Sequence, residues 1–230
     1  MLISAQMNPN GDRASHHRAK YEDIRHDMVA RQIYDRGIRS PRVLAAMESV
    51  PRHLFVPPDL IGNAYADEAL PSSDGQSISQ PYIVAASTDA LELQGHERVL
   101  EVGAGTGYQA AVVSLLAREV VGLEAIPALA ESARERLARL GYPNVRVEVG
   151  DGSQGFSESA PFDAILVSAA APSVPQPLVD QLAEGGRLVI PVGKPDHQQL
   201  LKIVKSEGRV FEKELFACRY VPLVGRYGWR

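Results

Sequence analysis

Arg98-Val-Leu-Glu-Val-Gly-Ala-Gly-Thr-Gly-Tyr108 reads as a short apolar strand that runs into three alternate glycines and then into a helix. A glycine turn between strand and helix lets the backbone approach a ligand closely, because no Cβ stands in the way. Alone, such a turn fits a dinucleotide, another nucleoside or a plain tight turn. The flanking pattern decides the fold. Upstream, the sequence predicts a helix from Pro81 to Leu93. Downstream it predicts a helix from about Tyr108 to Ala117, a strand from Val120 to Glu124 and a helix from Pro127 to Leu140. Further strands are expected at Val145–Val149, Phe162–Val167 and Arg187–Val192, with a helix between Pro177 and Leu182. Strands alternating with helices at this spacing mean a parallel sheet with helices on both faces. The C-terminus leaves that rhythm, since Gln199–Lys205 and Val210–Val221 flank Ser206-Glu-Gly208, a hairpin signal. The expected fold is α/β: a Rossmann-like, doubly wound, mostly parallel sheet with a C-terminal antiparallel hairpin.

A helical cap is expected ahead of this core. Ile24, Met28, Ile33 and Tyr34 recur at mixed spacings of four, five and one, and Gly37 supplies a stop. A second helix takes Ser40 as N-cap and Pro41 at its first position, runs through Val43, Leu44 and Met47, and stops before Pro51. Val56 to Ser73 reads as loop with one helical turn near Leu60. The division expected is a mobile extension (1–20), a helical cap with an active-site loop (21–80) and a ligand-binding core (81–230).

Composition bounds the function. With 230 residues, 45% of them hydrophobic, a sizeable core is available, and a net charge of -4 argues against a surface built to hold phosphate backbones. No nucleic-acid or membrane partner is expected. A single cysteine, Cys218, cannot form an intramolecular disulfide, so a cytoplasmic location is the default, and its apolar strand-like surroundings read as a buried thiol. The six histidines show no metal-ligand spacing, so no metal is expected.

Three acids narrow the ligand. Glu124 ends the strand after the glycine loop, where a carboxylate can accept both hydroxyls of a ribose; a solvated strand-end glutamate is the plainer alternative. The glycines are spaced G-x-G-x-G rather than the dinucleotide G-x-G-x-x-G, and Glu101 lies two residues before the first of them. A carboxylate there would repel a pyrophosphate but pair with the ammonium of an amino-acid tail, which favours S-adenosylmethionine. Asp151, in Val149-Gly-Asp-Gly152, is placed for the exocyclic amine of adenine, and equally for a turn-forming Asp-Gly.

Together the runs VLEVGAGTGYQAAVVSLL (99–116), VVGLEAI (120–126), the GDG of 150–152, PFDAILVSAAAPSVPQPLVDQLAEGGRLVIPVG (161–193) and DGQSISQPYIV (74–84) resemble the protein-L-isoaspartate O-methyltransferases. The resemblance covers about Met28 to Val224. The glycine motif names only the wider class of S-adenosylmethionine-dependent methyltransferases, whereas Gly75-Gln-Ser-Ile-Ser-Gln-Pro81 and Arg219-Tyr-Val-Pro-Leu223 are particular to this family. The resemblance implies that Ser79 is the active-site serine and that Gln76, Ser77 and Ile78 line the cofactor. It likewise implies that Glu101, Gly103 and Gly105 hold the methionine side, Glu124 the ribose, and Asp151 and Gly152 the adenine region. Ser79, Gln80, Val221 and Leu223 would meet the peptide. Val224 stands where some members carry threonine, and the segment before Met28 is longer than the family pattern.

The activity implied is methyl transfer from S-adenosylmethionine to the free carboxylate of isoaspartyl residues, an altered backbone rather than a sequence, as the first step of repair. A monomer that takes isoaspartyl proteins and peptides is expected. Ser79 also lies close to the N-cap position of the helix opening at Pro81, so capping is its plainer role. A small-molecule or RNA acceptor, a non-catalytic cofactor-binding module and a nicotinamide oxidoreductase are the competing readings.

Overall fold

The computed structural model describes residues 19–72 and 75–229. The expected extension, residues 1–20, falls outside the described residues except for 19 and 20, which open the first helix. That helix, α1, covers residues 19–27 and continues into a π-helical segment, Met28–Tyr34. The Asp35 amide donates to the Ala30 carbonyl five residues back, the signature of the wider turn. That turn explains the five-residue step from Met28 to Ile33: both are buried with Val29, whereas Ile24 and Tyr34 are exposed, contrary to the sequence expectation for those two. Helix α2, Pro41–Ser49, has the expected cap, with the Ser40 hydroxyl accepting from the Val43 amide at 3.5 Å. A 3-10 helix, Pro58–Asn63, supplies the turn expected near Leu60.

The segment before the core is a small antiparallel ribbon of β1 (Leu70–Pro71) and β2 (Ser77–Ile78), with Leu70 opposite Ile78 and Pro71 opposite Ser77. The core then alternates as expected: α3 (Pro81–Ala90), β3 (Arg98–Val102), α4 (Tyr108–Ser114), β4 (Glu119–Glu124), α5 (Pro127–Leu140), β5 (Val145–Val149), β6 (Phe162–Val167), α6 (Gln176–Asp180), β7 (Leu182–Lys194), β8 (His197–Ser206) and β9 (Arg209–Cys218). Helix α3 stops three residues early, because Glu92 takes a left-handed conformation at φ 52°. Helix α4 ends at Ser114 as the Leu115 and Leu116 amides tighten to three-residue bonds.

The seven strands lie in the order β5-β4-β3-β6-β7-β8-β9. Strands β3 to β7 pair in parallel, and β8 and β9 run antiparallel. Because β3 lies between β4 and β6, the chain reverses its winding there, and a crevice opens at the carboxyl ends of those strands. The antiparallel portion is larger than expected. Strand β7 is 13 residues long and turns tightly through Pro195-Asp196 into β8, so two hairpins close the sheet, not one. At the second, Glu207 and Gly208 both have positive φ, 53° and 67°, as a type I′ hairpin requires. Strand β9 ends at Cys218, leaving Arg219–Pro222 free to wrap back to Ala170.

Alternate strand residues enter two cores on opposite faces. Val99, Val120 and Leu166 pack with α3, α4, α5 and the helical cap; Leu100, Val121 and Ile165 pack with α6. Glu101 shares the parity of Val99, so it points toward the cap side. No helix among the described residues is long and apolar enough to cross a membrane.

Candidate active site

The glycine loop is pinned by its neighbouring strand. Gly103 and Ala104 both donate to the Leu123 carbonyl, at 2.8 and 3.0 Å, and Gly107 donates to Ala104 at 2.8 Å. Gly105 has φ 52°, and a Cβ there would meet nothing within 4 Å, so this backbone faces open space as ligand approach requires. Gly107 is constrained differently: φ is 86°, and a Cβ would press on Leu137 of α5 at 3.1 Å. Glu124 holds the loop from outside, its two carboxylate oxygens accepting the Gly105 amide at 2.9 Å and the Ile126 amide at 3.0 Å. Each oxygen keeps a further lone pair, so the position suits a vicinal diol.

Glu101 is the anomaly. It is fully buried, and neither carboxylate oxygen has a hydrogen-bond partner. Burial, and secondarily the charge of Glu124, pushes its carboxyl well above the usual range. A buried, unpaired carboxylate on the floor of a crevice is a site waiting for a cation or donor.

Two cavities meet above it. The first, about 350 Å³, is lined by Gln76, Ser77, Ile78, Ser79, Glu101, Gly103, Gly105, Glu124 and Gly152, among others. The second is an open groove of about 1010 Å³ between β9, the Arg219–Pro222 segment and α3. Ser77, Ser79, Ser168, Val221 and Pro222 line both, so the passage between them is a ring of small polar and apolar groups.

A family model described as Protein-L-isoaspartate(D-aspartate) O-methyltransferase matches residues 23–228. The chain belongs to this family. A protein-L-isoaspartate O-methyltransferase from Methanoculleus marisnigri is 55% identical over 90% of this chain and 94% of its own length. One from Syntrophus aciditrophicus is 50% identical over 91% and 98%. Among solved structures, a protein-L-isoaspartate O-methyltransferase superposes with a TM-score of 0.80 at 29% identity, covering 89% of this chain and 67% of that one. A putative member from Plasmodium falciparum, solved in complex with S-adenosyl-L-homocysteine, superposes at 0.74 with 28% identity, covering 87% and 98%.

Within this methyltransferase, two expected site residues, Asp151 and Leu223, and the cysteine expected as a buried thiol stand differently from what the sequence suggested. Asp151 does not line the cavity. Its carboxylate is consumed by the Ser153 amide and hydroxyl, Gln154 and the Arg226 amide, the last at 2.8 Å. Burial acts the other way, but those hydrogen bonds hold its carboxyl below the usual range. The turn-forming reading of Asp-Gly is what the structure shows, extended to a clasp on the C-terminal tail. Leu223 is buried against the first cavity rather than in the groove, because the Ala170 carbonyl accepts its amide at 2.8 Å and turns the side chain inward. Cys218 is half-buried on the groove wall rather than in the core, and burial raises its thiol to about 11.

The family resemblance favoured Ser79 over Ser77 as the active-site serine, and both lie at the junction of the cavities. The capping role for Ser79 is not seen: Gln80 holds the N-cap position of α3, and no side chain caps that helix. Instead Gln80 donates to the Asp67 carbonyl and carboxylate at 3.0 and 2.7 Å, latching the ribbon to the cap. Ser168 was missed. Its signal was position, at the carboxyl end of β6 beside the winding reversal, where its amide donates to Val102 at 2.8 Å.

Proposed function

We propose that this chain transfers a methyl group from S-adenosylmethionine to the free carboxylate of isoaspartyl residues in damaged proteins, with Ser79 aligning that carboxylate. The observation that carries the reading is the junction: a nucleoside-sized cavity with an orphaned acid on its floor opens through Ser79 into a groove wide enough for a peptide. S-adenosylmethionine supplies an activated methyl group on a sulfonium. The residues present fit it, since Glu101 offers an unpaired carboxylate to an ammonium, Glu124 suits a ribose, and Gly105 leaves its backbone open.

The chain itself has little chemistry to perform. A carboxyl with an ordinary pKa near ~3.9 is already an anion at neutral pH, so no general base is needed. Alignment and exclusion of water are the demands, with the reacting atoms held roughly 3 to 3.5 Å apart. Ser79 donates a hydrogen bond to one carboxylate oxygen and leaves the other to attack. Gln76, Ser77 and Ile78 close the cofactor side, and Gln80 and Val221 border the peptide. The helical cap and ribbon, residues 21–80, carry the active-site loop, and residues 81–230 form the cofactor-binding core. We further place the protein in the cytoplasm without a nucleic-acid partner, supported by its lone cysteine and its net charge of -4.

Radiolabelled methyl transfer to an isoaspartyl peptide beside its aspartyl twin tests the reading. Label on the isoaspartyl peptide alone is expected. Equal transfer to both, or to neither, defeats it.

A further inference from the structure

The groove differs in charge from the molecule around it. The chain carries 28 acidic and 24 basic residues, yet among the described residues no aspartate or glutamate lines the groove, and the only charged ones that do are Arg36 and Arg219. The two guanidiniums are not equivalent. Arg36 is committed, bonded to the Asp67 carboxylate at 3.2 Å and stacked 3.7 Å from the Tyr82 ring centroid. Arg219 is exposed and has no ion pair or hydrogen bond among the described residues. Of the carboxylates next along the chain to lining residues, Asp35 beside Arg36, Glu68 beside Ala69 and Asp196 beside Pro195 are exposed and none of them lines the groove, and the nearby Asp67 is occupied by Arg36 and Gln80.

Arg219 also has a fixed place relative to the reacting centre. It precedes Tyr220, whose amide donates to the Gln198 side chain at 2.7 Å and whose carbonyl accepts from it at 3.2 Å. Gln198 is buried, so this paired contact fixes the backbone between Arg219 and the wall shared with the cofactor cavity. Ser79 and Arg219 line the same groove, so a peptide seated there with its reacting carboxylate at Ser79 shares that wall with a guanidinium that no described carboxylate pairs.

We infer that Arg219 is a specificity-determining residue, favouring isoaspartyl peptides with an acidic side chain within two residues of the damaged site and disfavouring basic ones. This rests on the function proposed above. The interaction is solvent-exposed, so the preference is modest, about two- to fivefold for an acidic over a neutral neighbour, and shrinks as salt rises.

The test uses the full chain and three isoaspartyl peptides identical except for Glu, Ala or Lys flanking the isoaspartate on both sides. The quantity read is the ratio of kcat/KM between the Glu and Lys peptides, in which any general loss of activity cancels. The wild type should prefer Glu, Arg219→Ala should flatten the ratio, and Arg219→Glu should invert it, each difference fading between low and high salt. A ratio unchanged by Arg219→Glu overturns the assignment while the function stands. If none of the three peptides is methylated by the wild type, the proposed function itself falls, and this inference with it.

Discussion

Glu101 shows how one side chain can work against the fold and for the ligand. Its carboxyl is raised in the folded state above the ordinary value of 4.5. The folded protein therefore holds a proton that the unfolded chain releases. The resulting stability is fully present below the ordinary value and is lost as pH rises through the raised folded value. Glu101→Gln should raise the melting temperature of the ligand-free protein at pH 8 and flatten its fall with pH. The same change should weaken S-adenosylmethionine binding roughly ten- to a hundredfold, the worth of a charge-assisted hydrogen bond. Because cofactor binding pairs the carboxylate, calorimetry in buffers of different ionisation enthalpy, run across the pH range above 4.5, should show a window of proton release on binding that Glu101→Gln abolishes; identical heats at every pH would contradict the role given to Glu101. At the junction, Ser79→Ala should lower kcat by about tenfold or more with cofactor affinity little changed, as expected for a donor that acts on the reacting group. Ser77→Ala is the control, and an equal loss in both would remove the distinction between the two hydroxyls.

At the scale of elements, the C-terminal tail is a working part of the site. Val221–Val224 line the cofactor cavity, and the tail beyond is clasped by Asp151 and by the Ser153 hydroxyl, which accepts the Tyr227 amide at 3.0 Å. Asp151→Ala removes both the N-cap of the 3-10 helix Gly152–Gln154 and the clasp. It should cost about 1–2 kcal/mol in thermal unfolding, in the range of a lost N-cap, and weaken cofactor binding by loosening the tail that lines the cavity. Trp229 is the chain's single tryptophan, and its ring nitrogen donates to Ala170 at 3.1 Å, so its fluorescence reports the tail. A red shift in Asp151→Ala is expected, and an unmoved spectrum would mean that the clasp is redundant. Most elements were legible because their signals are local. Pro127 opens α5, and Gly141 at φ 83° closes it. The Pro195-Asp196 hairpin was not, since β7 continues an apolar run whose partner is defined only by pairing across the sheet. The π-helical turn appeared in the sequence only as an awkward spacing of five.

For the whole molecule, the decisive feature is that the helical cap has no core of its own. Met28, Ile33, Met47 and Phe55 belong to the same cluster as Val99, Tyr108 and Leu166. Phe55 and Tyr108 meet edge to face at 5.5 Å, and the Arg52 guanidinium lies over the Tyr108 ring, 4.8 Å from its centroid. Cap and sheet should therefore unfold together, with Trp229 fluorescence and far-ultraviolet circular dichroism giving one coincident urea transition. Saturating S-adenosylmethionine at a hundred times its Kd should shift that transition by about 2.7 kcal/mol. Two separated transitions would show that the cap is an independent unit.

The sequence by itself determined the order of strands and helices, the glycine turn and the acid that follows it, because each depends on residues close along the chain. The family runs brought the DGQSISQPYIV segment into the site. Only the tertiary structure decided which side chains share the cavity. It turned the Asp151 carboxylate to the C-terminal tail, drew Ser168 in from the end of a distant strand, and left Glu101 buried without a partner. Burial and pairing between remote segments are properties of the folded surface, and no local spacing encodes them.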